Sequence, residues 1–114
     1  MMGLFDGFSG GGATSADEVS YEALDAALKA EAWALVDVRE VHEFDAGHVA
    51  GSLNLPLSSF DPSDLPKDKP VVLICRSGVR SMTALSRARA AGAADLRHYR
   101  GGVVGWANHG GALV

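Results

Sequence analysis

The stretch that decides the fold is Val71-Val72-Leu73-Ile74-Cys75-Arg76-Ser77-Gly78-Val79-Arg80-Ser81. Its first four residues are apolar and mostly β-branched, which is typical of a buried parallel strand and too short for an ordinary helix. Cys75, the only cysteine in the chain, stands where that strand ends. A short glycine-containing loop follows, and the pattern then predicts a helix from Ser81 to Ala91 that ends at Gly92. The sequence therefore predicts a strand–loop–helix unit with a cysteine at its bend.

The loop after Cys75 is suited to holding negative charge. A turn of this kind points several backbone N–H groups into one concavity, which binds anions. Arg76 and Arg80 add two positive charges, so we expect the pKa of the Cys75 thiol to lie below its usual value. A lone cysteine is more often a small buried hydrophobic residue than a nucleophile. Its position between a buried strand and a helix, where open α/β sheets bind ligands, favours the nucleophile here.

Composition indicates a single domain and excludes several classes of protein. A chain of 114 residues can bury a core without disulfides or a metal. One cysteine allows neither an internal disulfide nor a metal cluster built on cysteine pairs, and it fits a reducing compartment. The net charge of −4 and the lack of a basic stripe argue against nucleic-acid binding. No apolar run approaches the length of a membrane span.

The amino terminus predicts a flexible arm. Residues 1–8 lack the basic and long apolar regions of a secretory signal, so we expect a cytoplasmic protein. The segment from Ser9 to Ser15 is rich in glycine and serine, a composition typical of flexible linkers. We therefore expect an arm over residues 1–16 and a folded domain over residues 17–114. Nothing in the sequence indicates an oligomeric state.

The rest of the chain alternates between helix and strand patterns. An alternation of this kind predicts an α/β domain with a mostly parallel central sheet and helices on both faces. The predicted elements are a helix over 21–30 capped by Ser20, a strand over 34–38, a short helix through Val41 and Phe44 that stops at Gly47, a strand over 52–56, a surface connection over 58–69 with one helical turn, a strand over 96–99, a turn at Gly101-Gly102 and a last short helix from Val103.

Three motifs in order resemble the signatures of the rhodanese-like sulfurtransferases. Leu35-Val36-Asp37-Val38-Arg39-Glu40, together with Gly47-His48-Val49-Ala50-Gly51-Ser52-Leu53-Asn54-Leu55-Pro56, resembles the first signature of that family. Tyr99-Arg100-Gly101-Gly102-Val103-Val104-Gly105-Trp106 resembles the carboxyl-terminal signature, although Val103-Val104 replaces a more polar or aromatic pair. The segment from Cys75 to Arg80 lies between them, where the active-site loop belongs. The resemblance covers about residues 17–110.

The resemblance implies a thiosulfate sulfurtransferase of the rhodanese type. By analogy, the Cys75 thiolate takes a sulfane sulfur from a small donor such as thiosulfate, and the resulting persulfide passes it to cyanide or a thiol. No metal or organic cofactor is implied. The residues implied to bind substrate are those of the loop, namely Arg76, Ser77, Gly78, Val79 and Arg80. Arg76 would lie at the mouth and pair with the sulfonate, whereas Arg80 either binds substrate or pairs with a carboxylate inside the protein.

Several other polar residues are interpreted as structural. Asp37 and Arg39 follow a predicted strand and, in the family pattern, look like residues that brace the loop. His48 lies in a turn, where a hydrogen-bonded structural histidine is more common than a general base. The remaining histidines, His42, His98 and His109, lack metal-ligand spacing with each other or with Cys75. Tyr99 and Trp106 are interpreted as packing residues.

Two other classes of function stay open. Cysteine phosphatases and arsenate reductases use a similar cysteine loop, and rhodanese-like domains also occur as non-catalytic interaction or sulfur-carrier modules. In the phosphatase loop five residues separate the cysteine from an arginine. Here the second arginine, Arg80, comes one residue earlier, and the six-residue loop Cys75–Arg80 is the length that the family associates with sulfane-sulfur substrates. Retention of the cysteine argues against the non-catalytic module.

Overall fold

Four parallel strands form the centre of the protein. The computed structural model describes residues 17–114, so the predicted arm over residues 1–16 lies outside the described residues. The strands occur in the spatial order β2-β1-β3-β4 and all neighbours run parallel. They are β1 (Ala34–Asp37), β2 (Leu53–Asn54), β3 (Val71–Ile74) and β4 (Leu96–His98). The α/β class and the parallel sheet predicted from the sequence are confirmed.

Strand β3 lies inside the sheet and supplies apolar residues to both of its faces. All four of its residues are buried. Val71 and Leu73 belong to one apolar cluster, and Val72 and Ile74 belong to the other. Side chains alternate across a strand, so an uninterrupted apolar run is what a strand covered on both faces requires. The carboxyl end of β3, and with it Cys75, is thereby fixed by packing on two sides.

Helices cover both faces of the sheet. They are α1 (Tyr21–Lys29), α2 (Val41–Ala46), α3 (Val79–Ala90) and α4 (Gly102–Asn108), with two short 3-10 turns at Leu57–Ser59 and Pro62–Asp64. Helix α3 contributes to the cluster that contains Leu73, whereas α1 and α4 contribute to the cluster that contains Ile74. Among residues 17–114 no helix is long and apolar enough to cross a membrane.

The order of the elements follows the predictions, but several boundaries differ. The predicted strand over 52–56 is only two residues long as β2, and two 3-10 turns, Leu57–Ser59 and Pro62–Asp64, occur where one helical turn was expected. The Ser20 hydroxyl accepts from the Ala23 N–H at 3.0 Å and caps α1, as predicted. Helix α3, however, begins at Val79 and not at Ser81, because Gly78 adopts a left-handed conformation with φ 102° and the chain turns into the helix directly after it. Val79 and Arg80 are therefore first-turn helix residues. The predicted Gly101-Gly102 turn also runs straight into a helix, since α4 begins at Gly102.

Candidate active site

The Cys75 sulfur lies at the carboxyl end of β3, almost fully enclosed by protein. The residue is 1% exposed. The backbone N–H of Gly78 donates to Sγ at 3.1 Å, and the Ser81 Oγ lies 3.6 Å from Sγ. The Gly78 N–H and the Ser81 hydroxyl group therefore both lie within hydrogen-bond distance of one sulfur atom.

The surroundings of Cys75 favour the thiolate. Burial raises the pKa of the thiol, because a charged group loses hydration. Hydrogen bonding from the Ser81 hydroxyl and from the backbone N–H groups of Ser81, Gly78 and Ser77 outweighs burial, so the pKa lies below its usual value. A lowered pKa increases the fraction of Cys75 present as the thiolate, which is the reactive form of a cysteine.

The other predicted loop residues divide between the mouth and the interior. Arg76, Ser77 and Val79 are exposed, and the Val79 side chain is 75% exposed. Gly78 is buried, and Arg80 is half-buried. The loop therefore exposes three of the five predicted binding residues to solvent.

The start of helix α4 fixes the loop from behind. The Val103 N–H donates to the Cys75 carbonyl at 2.8 Å, and the Val104 N–H donates to the Arg76 carbonyl at 3.2 Å. Gly102 has φ 66°, and a Cβ atom there would overlap the Arg76 carbonyl. The backbones approach so closely that only glycine fits, which gives the second glycine of the carboxyl-terminal signature a physical reason.

Arg80 is paired with a carboxylate of helix α2. Its two terminal nitrogens donate to the two Glu43 carboxylate oxygens at 2.7 and 3.0 Å. The hydrogen bonds from Arg80 are the main reason that the pKa of Glu43 falls to about 2. Of the two alternatives left open by the sequence, this geometry is that of the internal pair, and it ties the first turn of α3 to α2.

Replacing Glu43 with glutamine should weaken this tie. Because both partners are partly exposed to solvent, we expect the free energy of unfolding to fall by about 1–2 kcal/mol at pH 7. A carboxyl whose pKa is lowered on folding stabilises the protein above its unfolded value of 4.5, and that contribution is lost as the pH falls to about 2. Urea unfolding at pH 7 and at pH 3 measures both effects. The gap between wild type and Glu43→Gln should shrink at the lower pH.

The control for this measurement is Glu22→Gln, which removes an exposed carboxylate from α1. It should change stability by a few tenths of a kcal/mol. A Glu43→Gln variant as stable as wild type at pH 7 would show that the pair does not hold α2 against α3.

Asp37 and Arg39 form a buried ion pair that holds α2 at its other end. The Arg39 Nε donates to the Asp37 carboxylate at 3.0 Å, and its Nη2 donates at 2.8 Å. Nη2 also donates to the Gly47 carbonyl at 2.8 Å, and Nη1 donates to the Glu43 carbonyl at 3.3 Å. These contacts give Arg39 a structural role, because its guanidinium nitrogens donate to the Asp37 carboxylate and to backbone carbonyls within α2 and at its end.

His48 has only structural contacts within the described part of the chain. Its Nδ1 lies 2.8 Å from the Phe44 carbonyl, and its ring stacks on the Phe44 ring with centroids 3.8 Å apart. Its backbone exchanges two hydrogen bonds with Val114, at 2.8 and 3.1 Å. The histidine thus joins α2 to the carboxyl terminus.

Sequence reasoning missed Ser81 and His98. The sequence patterns predict Ser81 at a helix start and His98 in a half-buried strand without metal-ligand spacing, and they do not connect either residue with Cys75. In the structure both are buried, and the Ser81 Oγ lies 3.0 Å from the His98 Nδ1. One signal was available: alternation along β4 puts His98 on the same face as Leu96, which packs with α3.

These features define an α/β domain with a buried cysteine of lowered pKa at the carboxyl end of an inner parallel strand. The chain belongs to the rhodanese-like domain family, whose model matches residues 20–109. A protein named sulfurtransferase from Allochromatium vinosum is 39% identical over 82 residues, which is 70% of this chain and 77% of that protein.

Two further relatives place the domain in different protein contexts. The probable adenylyltransferase/sulfurtransferase MoeZ of Mycobacterium tuberculosis is 41% identical over 78 residues, which is 65% of this chain but 20% of MoeZ. The human single-domain sulfurtransferase TSTD1 has a similar structure, with a TM-score of 0.70 and 29% identity, over 82% of this chain and 97% of that one. The chain thus spans a fifth of the larger relative and nearly the whole of the smaller one.

Proposed function

We propose that this protein is a sulfurtransferase that carries a sulfane sulfur as a persulfide on Cys75. The observation that supports this most is the enclosed sulfur itself, which lies 3.1 Å from the Gly78 N–H and has a lowered pKa. It is also the only thiol in the chain, so a single covalent carrier is available. Sulfurtransferases among the relatives support the same class of reaction.

In the first half of the reaction the Cys75 thiolate attacks the outer sulfur of a donor such as thiosulfate. The new Cys75–sulfur bond forms as the sulfur–sulfur bond of thiosulfate breaks, and sulfite leaves with the bonding electron pair. The enzyme is left as the Cys75 persulfide anion. Backbone N–H groups of the loop stabilise this charge without a metal or an organic cofactor.

In the second half an acceptor takes the terminal sulfur. Cyanide or a thiolate attacks that sulfur, the persulfide bond breaks, and the electron pair returns to Cys75 as thiolate. The donor product leaves before the acceptor reacts, and both half-reactions take place at Cys75, so we expect ping-pong kinetics. The direct test is the intact mass of the protein after incubation with thiosulfate, which should increase by one sulfur atom. We further propose that both partners are small molecules in the cytoplasm.

Arg76 is proposed to bind the sulfonate end of the donor. It is the exposed arginine next to the nucleophile, and its planar fork suits an oxyanion. Arg76→Ala should raise the KM for thiosulfate about ten- to a hundredfold, since loss of a charge-assisted hydrogen bond costs roughly 1.5–3 kcal/mol. The KM for an uncharged organic persulfide should change much less. Steady-state assays with the two donors measure the difference.

Arg87→Ala is the matched control for Arg76→Ala. It also removes an exposed arginine, but from the last turn of α3, remote in sequence from the loop. Both KM values should stay near those of wild type. An equal loss with both donors in Arg76→Ala would mean that Arg76 tunes the nucleophile or holds the loop, and the proposed sulfonate contact would be wrong.

A further inference from the structure

A buried polar chain runs inward from the reactive sulfur. Cys75 Sγ lies 3.6 Å from Ser81 Oγ, which lies 3.0 Å from His98 Nδ1. Ser81 is 0% exposed and His98 is 1% exposed, so bulk water does not compete for these contacts. The catalytic steps described above make no use of His98, although it joins the nucleophile through one hydroxyl group.

The ring proton of His98 has one good location. Among residues 17–114 the buried His98 Nε2 has no hydrogen-bond partner, and the Glu18 carboxylate oxygen facing it is 3.9 Å away. A proton on Nε2 would leave a buried N–H without an acceptor, whereas a proton on Nδ1 faces the Ser81 Oγ at 3.0 Å. This geometry favours the Nδ1–H tautomer for the neutral ring, in which Nδ1–H donates to the Ser81 Oγ.

This tautomer decides where the Ser81 proton goes. With Oγ accepting from His98, the single hydroxyl proton is free to be donated to the Gly78 carbonyl at 3.2 Å or to the Cys75 sulfur at 3.6 Å. A negatively charged sulfur is the stronger acceptor of the two. We propose that His98 is a positioning residue, which holds Ser81 so that its hydroxyl donates to the anionic sulfur of Cys75.

The charges around His98 are compatible with this role. Burial is the largest effect and lowers the pKa of His98. The negative charges of Glu18 and Asp17 raise this pKa, whereas the positive charges of Arg100 and Arg89 lower it. The pKa lies below its usual value, so the ring is neutral at pH 7 and above. No proton leaves His98 in this role, because Nδ1–H remains a donor throughout.

Alkylation of Cys75 by iodoacetamide as a function of pH tests the proposal without any sulfur donor. His98→Leu removes the Nδ1 donor. The midpoint of its pH–rate profile should move to higher pH, and the rate at pH 7 should fall roughly threefold to tenfold, because higher intrinsic nucleophilicity offsets part of the lost thiolate. His98→Asn places an amide N–H near the position of Nδ1. It should restore most of the wild-type profile.

Ser81 must mediate the effect if the proposal is correct. Ser81→Ala should shift the profile as His98→Leu does, and the double variant should shift it no further than Ser81→Ala alone. Arg97→Leu changes the neighbouring β4 residue, whose side chain stacks against Trp33, and it should leave the profile unchanged. Thermal unfolding of each variant separates a local effect on the sulfur from loss of fold.

A folded His98→Leu variant with the wild-type profile would overturn the proposal, and so would additive shifts in the double variant. If His98→Leu does not fold, His98→Asn is compared with His98→Gln, whose amide lies nearer the Nε2 position. Equal profiles for those two would also overturn it. The inference deepens the proposed function, but its test is separate: a Cys75 that shows these shifts and never forms a persulfide would refute sulfur transfer alone.

Discussion

The Cys75→Ser variant is expected to show no sulfur transfer above the uncatalysed rate and to gain no mass from thiosulfate. Cys75 is the only thiol in the chain, so no other side chain can hold the persulfide. A serine hydroxyl at the same place is a weak nucleophile, because it is far less ionised near neutral pH than a thiol. Wild-type protein should gain the mass of one sulfur atom, and cyanide should remove it again.

Two controls make the result specific. Wild-type protein incubated with sulfate, which has no sulfane sulfur, should show no added mass. The unfolding curve of Cys75→Ser should stay close to that of wild type, since the change is small and conserves the volume of the side chain approximately. Turnover near the wild-type rate in this variant would contradict the covalent mechanism.

The pH dependence of the first half-reaction follows from the same sulfur. The pKa of Cys75 is lowered by its hydrogen bonds, so the thiolate persists to lower pH than in an ordinary cysteine. The rate of persulfide formation should rise with pH through that lowered pKa and level off above it. Such a profile would show that persulfide formation depends on the Cys75 thiolate, which the loop stabilises.

Much of the fold could be predicted because its signals are local. The short apolar run Val71–Ile74 predicts the buried strand β3, and Ser20 predicts the start of α1 because serine is a good N-cap residue. The start of α3 was misplaced by two residues because it depends on Gly78, which has φ 102° and lies so close to the Arg100 carbonyl that a Cβ atom would overlap it. A contact between distant parts of the chain leaves no local pattern.

The difference between local signals and contacts of distant residues also applies to the candidate site. The sequence points to Cys75 and its loop as the candidate site because a single cysteine directly follows a buried strand. The partner of Arg80 is Glu43, which is 37 residues away in sequence, and that separation left the role of Arg80 open. His98 meets Ser81 only because β4 pairs with β3, which places the strand beside the first turns of α3. Alternation along β4 could have placed His98 on the same face as Leu96, but it could not have identified Ser81 as its partner.

The second large effect expected is a difference in substrate class. The unmodified protein should transfer sulfur from thiosulfate to cyanide and should hydrolyse aryl phosphates at a negligible rate. A phosphatase loop needs an arginine at the sixth position after its cysteine, where the guanidinium fork meets the phosphate oxygens. Ser81 occupies that position here, with a buried side chain directed at the Cys75 sulfur.

Arg80, which lies one residue before that position, does not supply the guanidinium that a phosphatase loop needs. Arg80 uses both terminal nitrogens on the Glu43 carboxylate, at 2.7 and 3.0 Å. Moving it onto a phosphate would break that pair and bring a dianion close to Glu43, a carboxylate with a pKa of about 2. Repulsion between these charges disfavours phosphate, whereas the anionic end of thiosulfate can stay at the mouth near Arg76.

The experiment is a side-by-side assay of one preparation on thiosulfate plus cyanide and on an aryl phosphate, with Cys75→Ser as the control in both. Inserting one glycine after Gly78 should weaken sulfur transfer, because Ser81 and the helix start then move away from the sulfur. It should not create phosphatase activity. The insertion moves Arg80 to the sixth position after the cysteine, where the guanidinium either stays paired with Glu43 or, if that pair breaks, is no longer held in place. Phosphate release that depends on Cys75, without sulfur transfer, would show that the six-residue loop does not select the substrate.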